Sequence, residues 1–178
     1  MNPSNYPYLI AIDPSLVCTG ISVFTEDGRL MHSTKIKTTT QLETTERYKA
    51  LVEGFLYWLT QFPNCVLVTE SQYIGRMSQF KTVLITPTIK GMFIGVYIAN
   101  CLARKLTPRI LEVRTSEAKK KIGIKGTHKR KENKKAIKEK VQELYPKLNL
   151  KSQDEIDSIM IGIAGTMAWE LEKKRFIK

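Results

Sequence analysis

From Tyr8 to Asp13 the chain is a run of mainly apolar residues that stops at Pro14, and a second such run, Gly20 to Phe24, follows after a short turn. Two short apolar runs joined this way predict a β-hairpin. Glu26-Asp27-Gly28 supplies residues that accept positive φ and leads into a third strand near Arg29 to Lys37. Then the period changes. From Thr45 to Gln61 apolar residues recur at Tyr48, Leu51, Val52, Phe55, Leu56 and Leu59, the spacing of an amphipathic helix, and Pro63 closes the segment. Cys65 to Thr69 is a continuous apolar run of the kind that forms a strand buried on both faces, with Glu70 at its carboxyl end. A second helix is expected from about Thr88 to Arg104 and another buried strand from Arg109 to Val113. The pattern predicts an α/β domain, a mixed sheet of three antiparallel strands followed by parallel crossover strands and flanked by helices.

A last helix has its own start signal. Ser152-Gln153-Asp154-Glu155 fits a capping box, with Ser152 as N-cap and Glu155 at the third position. Asp154 and Asp157 then share one face. An acid in a first helical turn complements the macrodipole, and that explains Asp154 as well as any chemistry does. Asp157 is flanked by Ile156, Ile159, Met160, Ile161 and Ile163, so its carboxylate sits on a helix that is apolar nearly all round and needs a cationic partner. Asp13 and Glu70 end two apolar strands. Hard oxygen ligands converging from different segments are what a pair of divalent ions about 3.5 to 4 Å apart requires. Asp13, Glu70, Asp154 and Asp157 are therefore the candidate catalytic and metal-binding residues, and phosphodiester cleavage is the chemistry they suit.

Charge strengthens that reading. The 178-residue chain has 29 Lys and Arg against 17 Asp and Glu, a formal net charge of +12, which points to a polyanionic partner. Between Lys119 and Lys140 stand 11 basic residues and only Glu132 and Glu139 as acids. Gly123 and Gly126 mark the first half of this stretch as a flexible basic loop, around 119–135, whereas Glu132 onward is compatible with a helix until Pro146. Mobile lysines beside an acidic site would track a phosphate backbone without reading sequence. One domain, 1–178, is expected. Met1 to Tyr8 carries no basic leader, and Met92 to Ala103, the most apolar segment, falls short of the ~20 residues of a membrane span, so a cytoplasmic protein is expected. Cys18, Cys65 and Cys101 are odd in number without CxxC spacing, which predicts reduced thiols. His32 and His128 are too few for an imidazole-rich metal site.

Ile12-Asp13-Pro14-Ser15 followed by Thr19-Gly20, then Val68-Thr69-Glu70, then Asp154-Glu155-Ile156-Asp157, resembles the RuvC family of Holliday junction resolvases from about Tyr8 to Trp169. The resemblance implies an RNase H-like fold, and two magnesium ions (Mg2+, with Mn2+ as a substitute) held by Asp13, Glu70, Asp154 and Asp157. It implies that Tyr73, three positions after the strand-end glutamate, stacks on a base at the junction crossover. It implies phosphate contacts by Lys119 and Lys129, with Lys125 and Lys131 as neighbours able to replace them. Ser15 stands where bacterial members usually have Gly, and the loop is richer in lysine, as in some phage-encoded relatives.

The expected enzyme is a magnesium-dependent endonuclease that cuts branched DNA as a homodimer, with no nucleotide cofactor and no membrane partner. A four-way junction has two-fold symmetry, so a two-fold dimer places two sites on strands of like polarity. Gly91 and Gly95 on one face, beside Met92, Phe93 and Tyr97, form the candidate dimer interface, because small residues permit close helix approach. Two other functions compete with this one. An actin-like phosphotransferase also uses Asp followed by Thr-Gly in an opening hairpin, but needs a second domain of the same kind. A non-catalytic basic DNA-binding protein would leave four acids as unexplained repulsion toward DNA.

Overall fold

The computed structural model describes residues 6–71, 80–124, 130–150 and 152–176. Strands β1 (Tyr8–Asp13), β2 (Cys18–Thr25) and β3 (Leu30–Lys37) form the expected antiparallel meander, with Tyr8 opposite Thr25 and Asp13 opposite Gly20. After helix α1 (Thr44–Gln61), strand β4 (Cys65–Glu70) returns parallel to β1. Helix α2 (Phe80–Ala103) leads to β5 (Ile110–Val113), parallel to β4, and α3 (Thr115–Lys121), α4 (Arg130–Leu144) and α5 (Gln153–Phe176) complete the chain. The sheet order is β3-β2-β1-β4-β5, the mixed sheet expected from the sequence.

Alternation along the strands divides the core between two faces. Ile10, Ile12, Ile21, Val23 and Leu67 point to one face, where they meet Leu51, Phe55 and Leu59 of α1 and Ile89, Phe93 and Tyr97 of α2. Tyr97 also pins α2 to the sheet, donating its hydroxyl to the Cys65 carbonyl at 2.7 Å and accepting the Arg109 N–H at 3.0 Å. Trp58 lies at the end of this layer, stacked on Phe62. Leu9, Ala11, Phe24, Val66, Val68, Leu111 and Val113 point the other way, into a core made with α3, α4 and α5 and closed by the fully buried Trp169.

Three boundaries differ from the sequence reading. Helix α2 begins at Phe80 and carries Pro87 inside it, so Ile85–Ala103 is one apolar helical stretch of 19 residues, by length and composition enough to cross a membrane. Its inner face is nevertheless core: Ile89, Phe93, Tyr97 and Cys101 are all buried. Strand β2 starts two residues before Gly20. The stretch read as the start of a loop is helix α3 through Lys121, with Glu117 in its first turn and Lys119, Lys120 and Lys121 in its last, charges that complement the macrodipole. Buried Ala118 fixes it to the core.

Helix α5 starts on the capping box: the Ser152 N–H donates to Glu155 Oε2 at 2.8 Å, and the Glu155 N–H to Ser152 Oγ at 3.4 Å. Lys35 of β3 reaches the same carboxylate at 3.7 Å. The helix lies so close to the sheet that a Cβ on Gly20 would sit 2.0 Å from the Asp154 carbonyl oxygen, and one on Gly162 would sit 2.0 Å from the Phe24 ring. Ser22 Oγ adds a hydrogen bond to the Ser158 carbonyl at 2.8 Å. Gly20→Ala is therefore expected to destabilise the fold by at least ~1 to 3 kcal/mol through overpacking. Gly95 has nothing within 4 Å of an added Cβ, so Gly95→Ala should be neutral or stabilising by up to ~1 kcal/mol. Urea denaturation midpoints of the two variants check the contrast, and equal shifts would refute it.

Candidate active site

Parity carries two acids to the α5 face. Asp13 follows Leu9 and Ala11 at alternate positions, and Glu70 follows Val66 and Val68, all of which face α5. Ile12 pairs with Thr69 in the parallel ladder, so Asp13 and Glu70 follow side by side at the carboxyl edge of the sheet. The start of α5 lands beside them because Gly20, opposite Asp13, has no side chain to hold it off. A pocket of about 300 Å³ results, lined by Asp13, Glu70 and Asp157, by Thr115 and Lys119 of α3, and by Asn133, Lys134 and Ile137 of α4.

Each acid is held differently. Burial first, then the charges of Asp157, Glu70 and Asp154, pushes the Asp13 carboxyl up to about 7, with Lys134 pulling the other way. Asp157 is also raised, chiefly by burial, although Gln153 Nε2 donates to its Oδ1 at 2.8 Å and Lys134 and Lys119 oppose the shift. Glu70 accepts a hydrogen bond from Thr115 Oγ1 at 2.6 Å. Its backbone carbonyl accepts from Lys90 Nζ at 3.1 Å, and Lys90, buried within α2, pairs with Glu112 at 2.6 Å. Asp154 does not line the pocket. It acts on Asp13 through its charge and accepts a hydrogen bond from Cys18, whose thiol is pushed up to about 11 by burial and by that acid.

Among the described residues no three His, Cys, Asp or Glu side chains stand ready as a closed metal cage. The donor chemistry still fits a hard divalent cation, because Asp13, Glu70 and Asp157 offer carboxylate oxygens to one pocket, and burial together with their mutual repulsion holds Asp13 well above the ordinary carboxylate value. Lys119 lines the pocket, while Lys131 is exposed in the first turn of α4 and lies outside the lining. Tyr73, Lys125 and Lys129 fall outside the described residues. Of the expected interface residues, Gly91 and Gly95 are exposed and Met92 is half-buried. Phe93 and Tyr97 are instead fully buried in the monomer core, against Phe55 and the Cys65 carbonyl, and offer no surface to a partner.

Lys134, Thr115, Lys90 and Gln153 were missed in the sequence. Lys134 precedes the buried Ile137 by three residues and Val141 by seven, so the helical register of α4 already put it on the inward face. Gln153 precedes Asp157 by one helical turn. Thr115 continues the parity of Leu111 and Val113 beyond the end of β5. Nothing in the sequence pattern marks Lys90, a charge in an apolar helix, as a partner of Glu70.

The raised Asp13 sets a pH dependence of stability. The neutral acid is favoured in the folded chain, so its stabilisation is complete below the ordinary value of 3.8, drains as pH rises, and is gone above about 7. In a chelating buffer Asp13→Asn should melt above the wild-type chain at pH 8, by a few kcal/mol at ~1.4 kcal/mol per pH unit, and the gap should narrow steadily towards pH 5. Thermal melts across that range check it. A gap independent of pH would show that Asp13 is not the titrating group.

No protein-family model matches the chain, and no curated protein matches it in sequence. Solved structures do. The fold is similar to that of Thermus thermophilus RuvC in complex with Holliday junction substrate, with a TM-score of 0.66 and 17% identity over 94% of this chain and 96% of that one. Another Thermus thermophilus RuvC structure gives a TM-score of 0.63 and 19% identity over 94% and 96% of the two chains. The yeast mitochondrial Holliday junction resolvase Ydc2 gives 0.61 and 14% over 97% of this chain and 83% of that one. The chain thus has the fold of the RuvC-like resolvases, as the resemblance at Asp13, Glu70 and the last helix led one to expect.

Proposed function

We propose that this chain is a divalent-metal-dependent endonuclease that cuts four-way DNA junctions as a homodimer. The observation that carries the reading is the group of repelling carboxylates on the pocket at the carboxyl edge of the sheet, with lysines of α3 and α4 on its rim. The fold shared with Thermus thermophilus RuvC, one structure of which contains a Holliday junction, supports the choice of substrate. Bound magnesium would supply Lewis acidity and a water activated near neutral pH. The chain's own groups do the rest. Asp13, central to the repulsion, is the first candidate to hold the cation; Glu70 is fixed by Thr115, and Asp157 by Gln153. Lys119 and Lys134 place positive charge where phosphate oxygens would lie.

The outer face of α2 supports a second copy as partner. Ile85, Gly91, Gly95, Ala99 and Leu102 are exposed along it, at helical spacing, on an element whose other face is core. Small residues there let two such helices approach closely.

Asp13→Asn, Glu70→Gln and Asp157→Asn should each lower junction cleavage on the order of 100-fold or more while binding persists or tightens, since negative charge facing phosphate is removed. A gel assay with four-way junction and linear duplex, in magnesium or chelator, reads both properties. Near-wild-type turnover of any of the three would refute its assignment, and binding without cleavage by the wild-type chain would favour a non-catalytic DNA-binding protein. Lys119→Ala and Lys134→Ala should each make the salt dependence of binding shallower, by about 0.9 in log–log slope for each phosphate no longer neutralised. Gly95→Leu, whose Cβ meets nothing within 4 Å, should convert dimers to monomers in sedimentation without lowering the melting temperature. A monomeric wild-type chain, free and junction-bound, would remove the basis for paired incision.

A further inference from the structure

Behind the turn that follows Asp13 lies a second cleft, of about 350 Å³. Its polar lining is Arg47 with the hydroxyl-bearing Ser15, Thr40 and Thr86, and its apolar lining is Leu16, Val17 and Ile85. Arg47 is only 9% exposed. Its Nε donates to Thr38 Oγ1 and its Nη2 to the Leu16 carbonyl, both at 3.2 Å. Both acceptors are neutral. Among the described residues no carboxylate lines the cleft and Arg47 forms no ion pair.

A guanidinium carries five N–H donors, and these two bonds leave others available. A buried cation without a counter-ion is costly, and a neutral side chain with an N–H donor could hold the Leu16 carbonyl without that cost if clamping were the whole role. The lining offers what a phosphate wants: a planar donor fork and three hydroxyls, with no acid to repel it. Val17 and Ile85, 50% and 42% exposed, give the adjoining sugar or base an apolar wall. Position completes the case. Ser15 of the lining is two residues from Asp13, so their Cα atoms are at most about 7 Å apart and the cleft adjoins the same end of β1 as the acids.

We propose that Arg47 and this cleft form a second phosphate subsite, which holds the backbone of the strand being cut one or two nucleotides from the phosphodiester at Asp13. The proposal rests on the nuclease reading above and adds to it a residue of α1, remote in sequence from both the acids and the lysine-rich segment. Arg47 and Thr38 both bond the Leu16 carbonyl, and Arg47 and Leu16 both line the cleft, so the turn after Asp13 is held by the same side chain that faces the subsite.

The test is a substitution walk on the DNA. Cleavage in magnesium first maps the cut, and a neutral methylphosphonate then replaces, one at a time, each of the two phosphates on either side of it. Binding is measured in chelator against salt. At one of these positions the wild-type chain should bind several-fold more weakly, with a slope shallower by about 0.9. Thr40→Glu, at an exposed position of the lining, supplies Arg47 with an internal counter-ion. That variant should bind the unmodified junction more weakly, be indifferent to the sensitive methylphosphonate, and melt higher than wild type. Arg47→Gln should show the same indifference, and if it fails to fold Thr40→Glu carries the test. A wild-type chain that cuts junctions but responds to none of the four positions, or a Thr40→Glu chain that responds as wild type does, overturns the subsite alone. A wild-type chain that binds no unmodified junction overturns the nuclease reading and the subsite with it.

Discussion

The first turn of α5 rests on β2 with its Asp154 carbonyl where a side chain at position 20 would be, and farther along the same helix Gly162 admits the Phe24 ring. The position of every acid contributed by α5 follows from these two missing side chains. Were the helix lifted by the width of a methyl group, Asp157 would leave the pocket that Asp13 and Glu70 line, and Asp154 would no longer bear on Asp13. The hydrogen bonds at Ser22 and the capping box at Ser152 then fix the helix along its axis as the glycines fix its height. Packing and chemistry are thus one constraint: the contact that closes the core is the contact that gathers the charge.

Gathered charge of one sign is unfavourable, and the surroundings answer it in several ways. Lys134 and Lys119 lean on the acids from α4 and α3, Thr115 and Gln153 donate hydrogen bonds, and Asp13 itself keeps a proton to near neutrality. None of these cancels the repulsion. A site built only for stability would place an apolar residue at the end of β1, since replacing a buried carboxyl by a well-packed hydrophobic group is commonly stabilising. Retained repulsion among acids in one pocket marks this edge of the sheet as a candidate functional site.

Strands and their facing were legible because alternation of period two is a local property: Leu9, Ala11 and Asp13 declare their common face without reference to anything else in the chain. The acids on α5 were legible for the same reason, from Ser152 and the apolar flanks of Asp157. Failures came where tertiary contact overruled local signal. Helix α3 is short and lysine-rich, and it holds because Ala118 is buried, a fact no window of charges announces. The second helix is expected from about Thr88, yet α2 begins at Phe80 and runs through Pro87. Phe93 and Tyr97 shared the apolar character of α2 with its exposed residues, and only packing against Phe55 and Cys65 separates inner face from outer. Lys134 shows the intermediate case, present in the helical register and hidden by the crowd of lysines around it.

The two aromatic anchors of the fold lie one on each side of the sheet. Trp169 is buried in the α5 layer, edge-on to Tyr6, with no hydrogen-bond partner for its indole N–H among the described residues. Trp58 is half-buried in the α1 layer, stacked on Phe62 and tilted against His32. The chain has 2 tryptophans, so each layer carries its own fluorophore. Emission from the dry indole reports on the layer that bears Asp154 and Asp157, and emission from the wetter one reports on the layer that bears Arg47. Loosening of either half of the molecule would therefore announce itself in a different part of the spectrum.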